Sequence, residues 1–206
     1  MRRLFIAALL PLEEQRALAG LLGQLDSAGA YAAILRPVRA EGIHLTLRFL
    51  GEVAAEEAQR AATACAMAAA MGGAFTIAFG PLGVFPNTRR PRVVWVGLHE
   101  GTTPLLALHQ RLEDALLSTK AVASRERYTP HVTLARVRDE AAPSARAGLG
   151  ALVASRPPRE QAGRHDRCVV DRLSLVQSTL APGGTRYTVL QQWPLSDPRA
   201  TSSARD

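Results

Sequence analysis

Two four-residue stretches of the chain share one pattern: His44-Leu45-Thr46-Leu47 and His131-Val132-Thr133-Leu134. In a β-strand, side chains alternate between faces. Each stretch would therefore present an imidazole and a hydroxyl together on one side and two apolar side chains on the other. A single such tetrad fits a half-buried histidine in a sheet. A second copy is harder to assign to packing, because His99, His109 and His165 all lack the threonine. If the two strands face one another, the cleft between them holds two imidazoles and two hydroxyls. The ordinary imidazole pKa, near about 6.5, allows one ring to be neutral and the other protonated around neutral pH, which makes an acid and base pair. Hydroxyls and nearby arginines can hold anionic oxygens. The set suits displacement at phosphorus. The neutral histidine takes a proton from water, the cationic one protonates the departing alkoxide, and the hydroxyls hold the non-bridging oxygens of the transition state.

The elements that must position these groups are legible as alternating strand and helix signals. Leu4 to Leu9 reads as a buried strand. Leu12 to about Leu25 reads as an amphipathic helix, with leucines at 18, 21, 22 and 25 and two glutamates in its first turn. The first tetrad lies in a strand from Ile43 to Leu50 that Gly51 stops, and an alanine-rich helix from about Ala54 to Met71 follows. Ala74 to Phe79 and Arg92 to Leu98 are further strands. Thr103-Pro104 predicts a helix start, with the threonine capping and the proline at the first helical position. The second tetrad lies in a strand from Tyr128 to about Val137. One short helix is expected between Arg138 and Gly163, and strands Cys168 to Leu180 and Thr185 to Trp193 are joined by a turn at Ala-Pro-Gly-Gly. The order is helix, loop, tetrad strand and polar helix-forming stretch, twice. It lacks the glycine fingerprint and strict alternation of a dinucleotide-binding fold, which predicts an α+β fold with mostly antiparallel sheet. Residues 1–195 are expected to form one domain and 196–206 a flexible tail.

Composition narrows the setting. The chain has 206 residues, 47% hydrophobic and 21% charged, enough to bury a core. No apolar run reaches membrane-spanning length, and the short one after Arg2 and Arg3 is followed by Pro11 and glutamates rather than a cleavage site, so a cytoplasmic protein without membrane association is expected. Two cysteines, Cys65 and Cys168, fit buried free thiols in that compartment. The net charge is +7. Of the basic residues only Lys120 is a lysine, as codon bias would produce, but the arginines cluster: Arg36 and Arg39 before the first tetrad, Arg89, Arg90 and Arg92 in a loop, and Arg125, Arg127, Arg136 and Arg138 around the second. Clustering of that kind points to a polyanionic partner such as nucleic acid.

The paired tetrads resemble those of the two-histidine (2H) phosphoesterases. The longer stretches HLTLRFLGEV, FPNTRRPRVVWVGL and YTPHVTLARVR look like the bacterial RNA 2′,3′-cyclic phosphodiesterases, also called 2′-5′ RNA ligases, over Leu4 to about Leu195. The resemblance implies a bilobal α+β fold with pseudo-twofold symmetry and mostly antiparallel sheets around a central groove. It implies hydrolysis of RNA 2′,3′-cyclic phosphate ends to 2′-phosphates, on RNA or nucleotides, with no metal and no cofactor. His44 would be the proton donor to the leaving 3′ oxygen and His131 the proton acceptor that activates water, a division the tetrads themselves leave open. Thr46 and Thr133 would bind substrate, with Arg48 and Arg136. Strict alternation puts Arg48 on the polar face with His44, whereas Arg136 reaches the groove only if the strand twists or bulges after Leu134. Tyr128 and Phe49 are the nearby aromatics able to stack on a base, with core packing as the competing role. The chain is expected to be a monomer.

Three readings compete. His165, Asp166 and Cys168 could contribute to a metal site, though a second ligand pair is missing and threonine is a poor ligand for the metals imidazole prefers. Alternatively, the groove binds RNA ends without turning them over, or runs the chemistry in reverse as 2′-5′ ligation. Two matched histidines are more than simple binding requires.

Overall fold

The computed structural model describes residues 1–121, 127–156, 167–182 and 184–195. Strand β1 (Arg2–Leu9) leads into α1 (Leu12–Leu25), whose leucine stripe at 18, 21, 22 and 25 is buried as its spacing requires. A three-residue strand β2 (Leu35–Pro37) precedes β3 (His44–Val53), α2 (Ala55–Ala70) and β4 (Phe75–Phe85). The second half runs β5 (Val93–Glu100), α3 (Thr102–Ser118), β6 (Val132–Val137), α4 (Pro143–Ala154), β7 (Arg167–Val170), β8 (Arg172–Ala181) and β9 (Gly184–Pro194). Among the described residues no helix is long and apolar enough to cross a membrane.

The strands form one antiparallel sheet in the order β7-β4-β5-β6-β3-β1-β8-β9, with β2 also on β6. The sequence repeat is visible in it. The series β1-α1-β3-α2-β4 is answered by β5-α3-β6-α4-β8. In space β1 lies between β3 and β8, just as β5 lies between β6 and β4. Each repeat thus gives its last strand to the other lobe, and the two lobes meet at the tetrad strands β3 and β6. That junction is narrow: Leu45 opposite Val132 is its single registered pair. A large apolar cluster under the sheet includes Ile6, Leu45, Leu47, Leu105, Leu112, Val132 and Leu134, while Phe5, Ala7 and Val176 form a small separate cluster on the opposite face.

Several boundaries differ from those the sequence predicts. Strand β3 continues past Gly51, whose φ of 75° the glycine adopts without strain. The expected single strand from Cys168 to Leu180 is two strands, broken at Asp171, with β7 pairing β4 in one lobe and β8 pairing β1 in the other. Helix α3 begins at Thr102 behind a left-handed Gly101 rather than with Thr103 as its cap. A Cβ at Gly101 would come within 2.5 Å of the Thr76 carbonyl oxygen, so the turn requires glycine there. Cys65 and Cys168 are buried free thiols. The expected tail at 196–206 lies outside the described residues.

Candidate active site

The register at the lobe junction brings the tetrads together. With Leu45 opposite Val132 in an antiparallel pair, His44 stands across from Thr133 and Thr46 across from His131. Directly opposed side chains on one face are about 5 Å apart at Cβ. The four polar residues therefore make a diagonal square, each imidazole beside the other lobe's hydroxyl. Their apolar partners Leu45, Val132 and Leu134 are fully buried on the far side.

Each imidazole is held in the same way. His44 Nδ1 lies 2.8 Å from the Gly42 carbonyl oxygen, and His131 Nδ1 lies 2.7 Å from that of Thr129. A carbonyl only accepts, so each Nδ1 carries the proton and donates it, which leaves each Nε2 for chemistry. Aromatic side chains fix the ring planes. Phe5 stacks on His44 at 4.6 Å between centroids and Tyr187 meets it edge-on at 5.2 Å. Phe85 and Trp95 meet His131 edge-on at 4.9 and 6.2 Å. Gly83 makes room for that arrangement, since a Cβ there would lie 2.2 Å from the Trp95 ring. The chain has few aromatics, Phe 5, Trp 2 and Tyr 3, and these four are spent on two histidines.

A β-bulge follows the tetrad in both lobes and decides what else faces the cleft. Along β1, Ala7 pairs Thr46, Ile6 pairs Arg48 and Phe5 pairs Phe49, so Leu47 is the extra residue. Along β5, Trp95 pairs Thr133, Val94 pairs Ala135 and Val93 pairs Arg136, so Leu134 is the extra residue. A bulge inverts the alternation beyond it. Phe49 and Arg136 consequently occupy equivalent positions on the polar face. Arg136 meets the condition set for it, a bulge after Leu134, and it lines the cleft of about 350 Å³ that holds His44, Thr46, Thr133 and Tyr187.

Arg48 goes the other way. The alternation that put it beside His44 fails at Leu47, and the side chain shares the face of buried Ile6. Its Nη1 lies 3.6 Å from Glu113 Oε1 on α3, and Glu113 also approaches His109 Nε2 at 3.7 Å. Arg48 lines a neighbouring cavity of about 380 Å³ with Phe85, His109, Tyr128 and His131. Tyr128 is not free to offer both faces, because His109 stacks flat on it at 4.1 Å and its hydroxyl donates to the Thr46 carbonyl oxygen at 2.9 Å. Phe49 is 60% exposed and so is not a core residue. His165 and Asp166, weighed as metal ligands, lie outside the described residues.

Burial, partly offset by the bond to Gly42 and reinforced by charge on His131, lowers the pKa of His44 to about 4. The two rings therefore sense one another. Burial also lowers the pKa of His131, against the bond to Thr129. Burial thus favours the neutral form of both rings at pH 7. In the unfolded chain His44 titrates near 6.5, so as pH falls from there toward 4 the unfolded state binds more protons. The contribution of His44 to stability is whole above about pH 6.5 and is lost on acidification through that window, and His131 acts in the same direction. The fall in Tm between pH 7 and pH 5 should shrink in His44→Gln, which has nothing to titrate, and on adding phosphate, whose charge favours imidazolium. Equal falls in all three samples would contradict the buried, neutral state of His44.

Comparison with known proteins is consistent with this geometry. The model of the 2′-5′ RNA ligase superfamily matches residues 22–180. An RNA 2′,3′-cyclic phosphodiesterase of Escherichia coli is 34% identical over 161 residues, covering 78% of this chain and 80% of the relative. One from Aquifex aeolicus is 31% identical, covering 77% and 80%. Among solved structures, that of E. coli LigT complexed with 3′-AMP superposes with a TM-score of 0.72 at 28% identity, covering 95% of this chain and 99% of the other.

Proposed function

The chain belongs to the 2′-5′ RNA ligase superfamily, and from that premise we propose that it hydrolyses RNA 2′,3′-cyclic phosphate ends to 2′-phosphomonoesters by acid and base catalysis between His44 and His131. The observation that carries the reading is the pairing of Leu45 with Val132, which sets each imidazole across from the other lobe's hydroxyl, together with the two Nδ1 atoms tied to carbonyls. His131 takes a proton from water as its oxygen attacks phosphorus. His44 gives a proton to the departing 3′ oxygen. Thr46, Thr133 and Arg136 hold the non-bridging oxygens, whose charge grows in the transition state. Phe49, exposed on the same face, is the platform for the terminal base. Burial keeps His44 neutral until substrate arrives. The phosphate's negative charge then raises its pKa and loads the proton it will donate. The setting we assign is the cytoplasm, where buried free thiols are stable, and the working unit is a monomer.

The test is the position of the phosphate after incubation with an oligonucleotide carrying a 2′,3′-cyclic end. A 2′-phosphate product is expected, since the 3′ oxygen leaves. A 3′-phosphate would reverse the polarity of the site, and no product at all would leave a protein that only grips RNA ends. Because the proposed acid, base and anion holders are all side chains, turnover should persist in excess EDTA. Activity that vanishes with chelator and returns with a divalent ion would replace this mechanism with a metal-assisted one.

A further inference from the structure

Strand β2 sets Arg36 directly across from Arg136. Cross-strand partners project to one face, about 5 Å apart at Cβ, and like charges so placed cost stability. Both side chains are exposed, and among the described residues neither makes an ion pair. Val38, just beyond the end of β2, lines the His44 cleft together with Arg136. Arg36 therefore continues the polar face outward from Thr133 and Arg136, just beyond the reacting centre. Arg3 also lines the cleft, but its cross-strand partner is Glu52, so its charge stands beside a carboxylate. The Arg36 and Arg136 pair has no such neighbour across the strands, and two adjacent phosphates, one held by each guanidinium, would relieve their repulsion.

We propose, resting on the hydrolase reading above, that Arg36 holds the phosphodiester on the 5′ side of the terminal nucleotide while Arg136 holds the reacting phosphate. The preferred substrate class is then a cyclic-ended RNA of two or more nucleotides rather than a cyclic mononucleotide.

The experiment compares kcat/KM on a nucleoside 2′,3′-cyclic phosphate, which has no second phosphate, with that on a dinucleotide ending in the same nucleoside and cyclic group. Wild type should favour the dinucleotide. Arg36→Gln should lower the dinucleotide value about tenfold, the worth of one hydrogen bond to a charged group, and leave the mononucleotide value unchanged, with Arg36→Lys intermediate. Equal loss on both substrates would mean that Arg36 acts on the reacting phosphate or on the fold, and no loss on either would mean that no second phosphate is held. Both results overturn the proposal. If wild type turns over neither substrate, the hydrolase reading fails instead. Equilibrium binding of the 2′-phosphorylated dinucleotide and mononucleotide then decides: a loss in Arg36→Gln confined to the dinucleotide supports the seat, and its absence removes it.

Discussion

Replacing either imidazole, His44→Ala or His131→Ala, should lower turnover of a 2′,3′-cyclic end by about a hundredfold to ten-thousandfold, the usual range for removing a positioned proton-transfer group. Binding of the same RNA should change little, because Thr46, Thr133 and Arg136 remain. The double variant should be scarcely worse than the poorer single one, since two groups that act on one phosphate in one step fail together. Thr133→Val keeps the shape of the tetrad and removes a hydroxyl from the transition-state oxygens, so its smaller loss should fall on kcat rather than KM. Rate and affinity falling in parallel in all these variants would describe a binding groove instead.

Arg48→Ala should act on stability. Arg48 and Glu113 have side chains only 11% and 9% exposed and lie 3.6 Å apart. Removing one partner of a buried pair weakens the compensation of the other charge, at a cost of up to about 3–5 kcal/mol, which for a chain of this size lowers Tm by up to the order of 10 °C. Replacing both with apolar residues of similar length, Arg48→Met with Glu113→Leu, should recover most of the loss. Thermal unfolding with kcat measured well below Tm separates this role from phosphate contact. If Arg48→Ala melts like wild type and loses turnover, the guanidinium serves the phosphate after all.

The pairing of imidazole with hydroxyl in each tetrad was legible from spacing alone. Period-two alternation places His44 with Thr46 and His131 with Thr133, and the leucine stripe of α1 predicts that helix with its observed ends. What alternation could not carry past was the extra residue in each strand. Leu47 and Leu134 look like ordinary inward positions, yet as bulges they reverse the side chains that come next. Hence Arg48 left the polar face while Arg136 and Phe49 joined it. Leu35–Pro37 was too short, and too close to a proline, to register as a strand, so the Arg36 and Arg136 contact was hidden. Asp171 interrupts an apolar stretch only briefly, and nothing local marks the change of partner from β4 to β8's neighbour β1. The aromatic settings of the histidines come from four strands, β1 and β9 at opposite ends of the chain for His44 and β4 and β5, more than 30 residues before it, for His131. They follow from topology, which local pattern does not encode.

The central claim, that two imidazoles serve one phosphate as acid and base, is tested most directly by the pH dependence of kcat in wild type and the two single variants. Wild type should give a bell whose two apparent pKa values belong to the coupled pair. His131→Ala should lose the acid limb, because no base is left to deprotonate, and His44→Ala should lose the alkaline limb, because no acid is left to protonate. A bell that persists unchanged in either variant would contradict the claim.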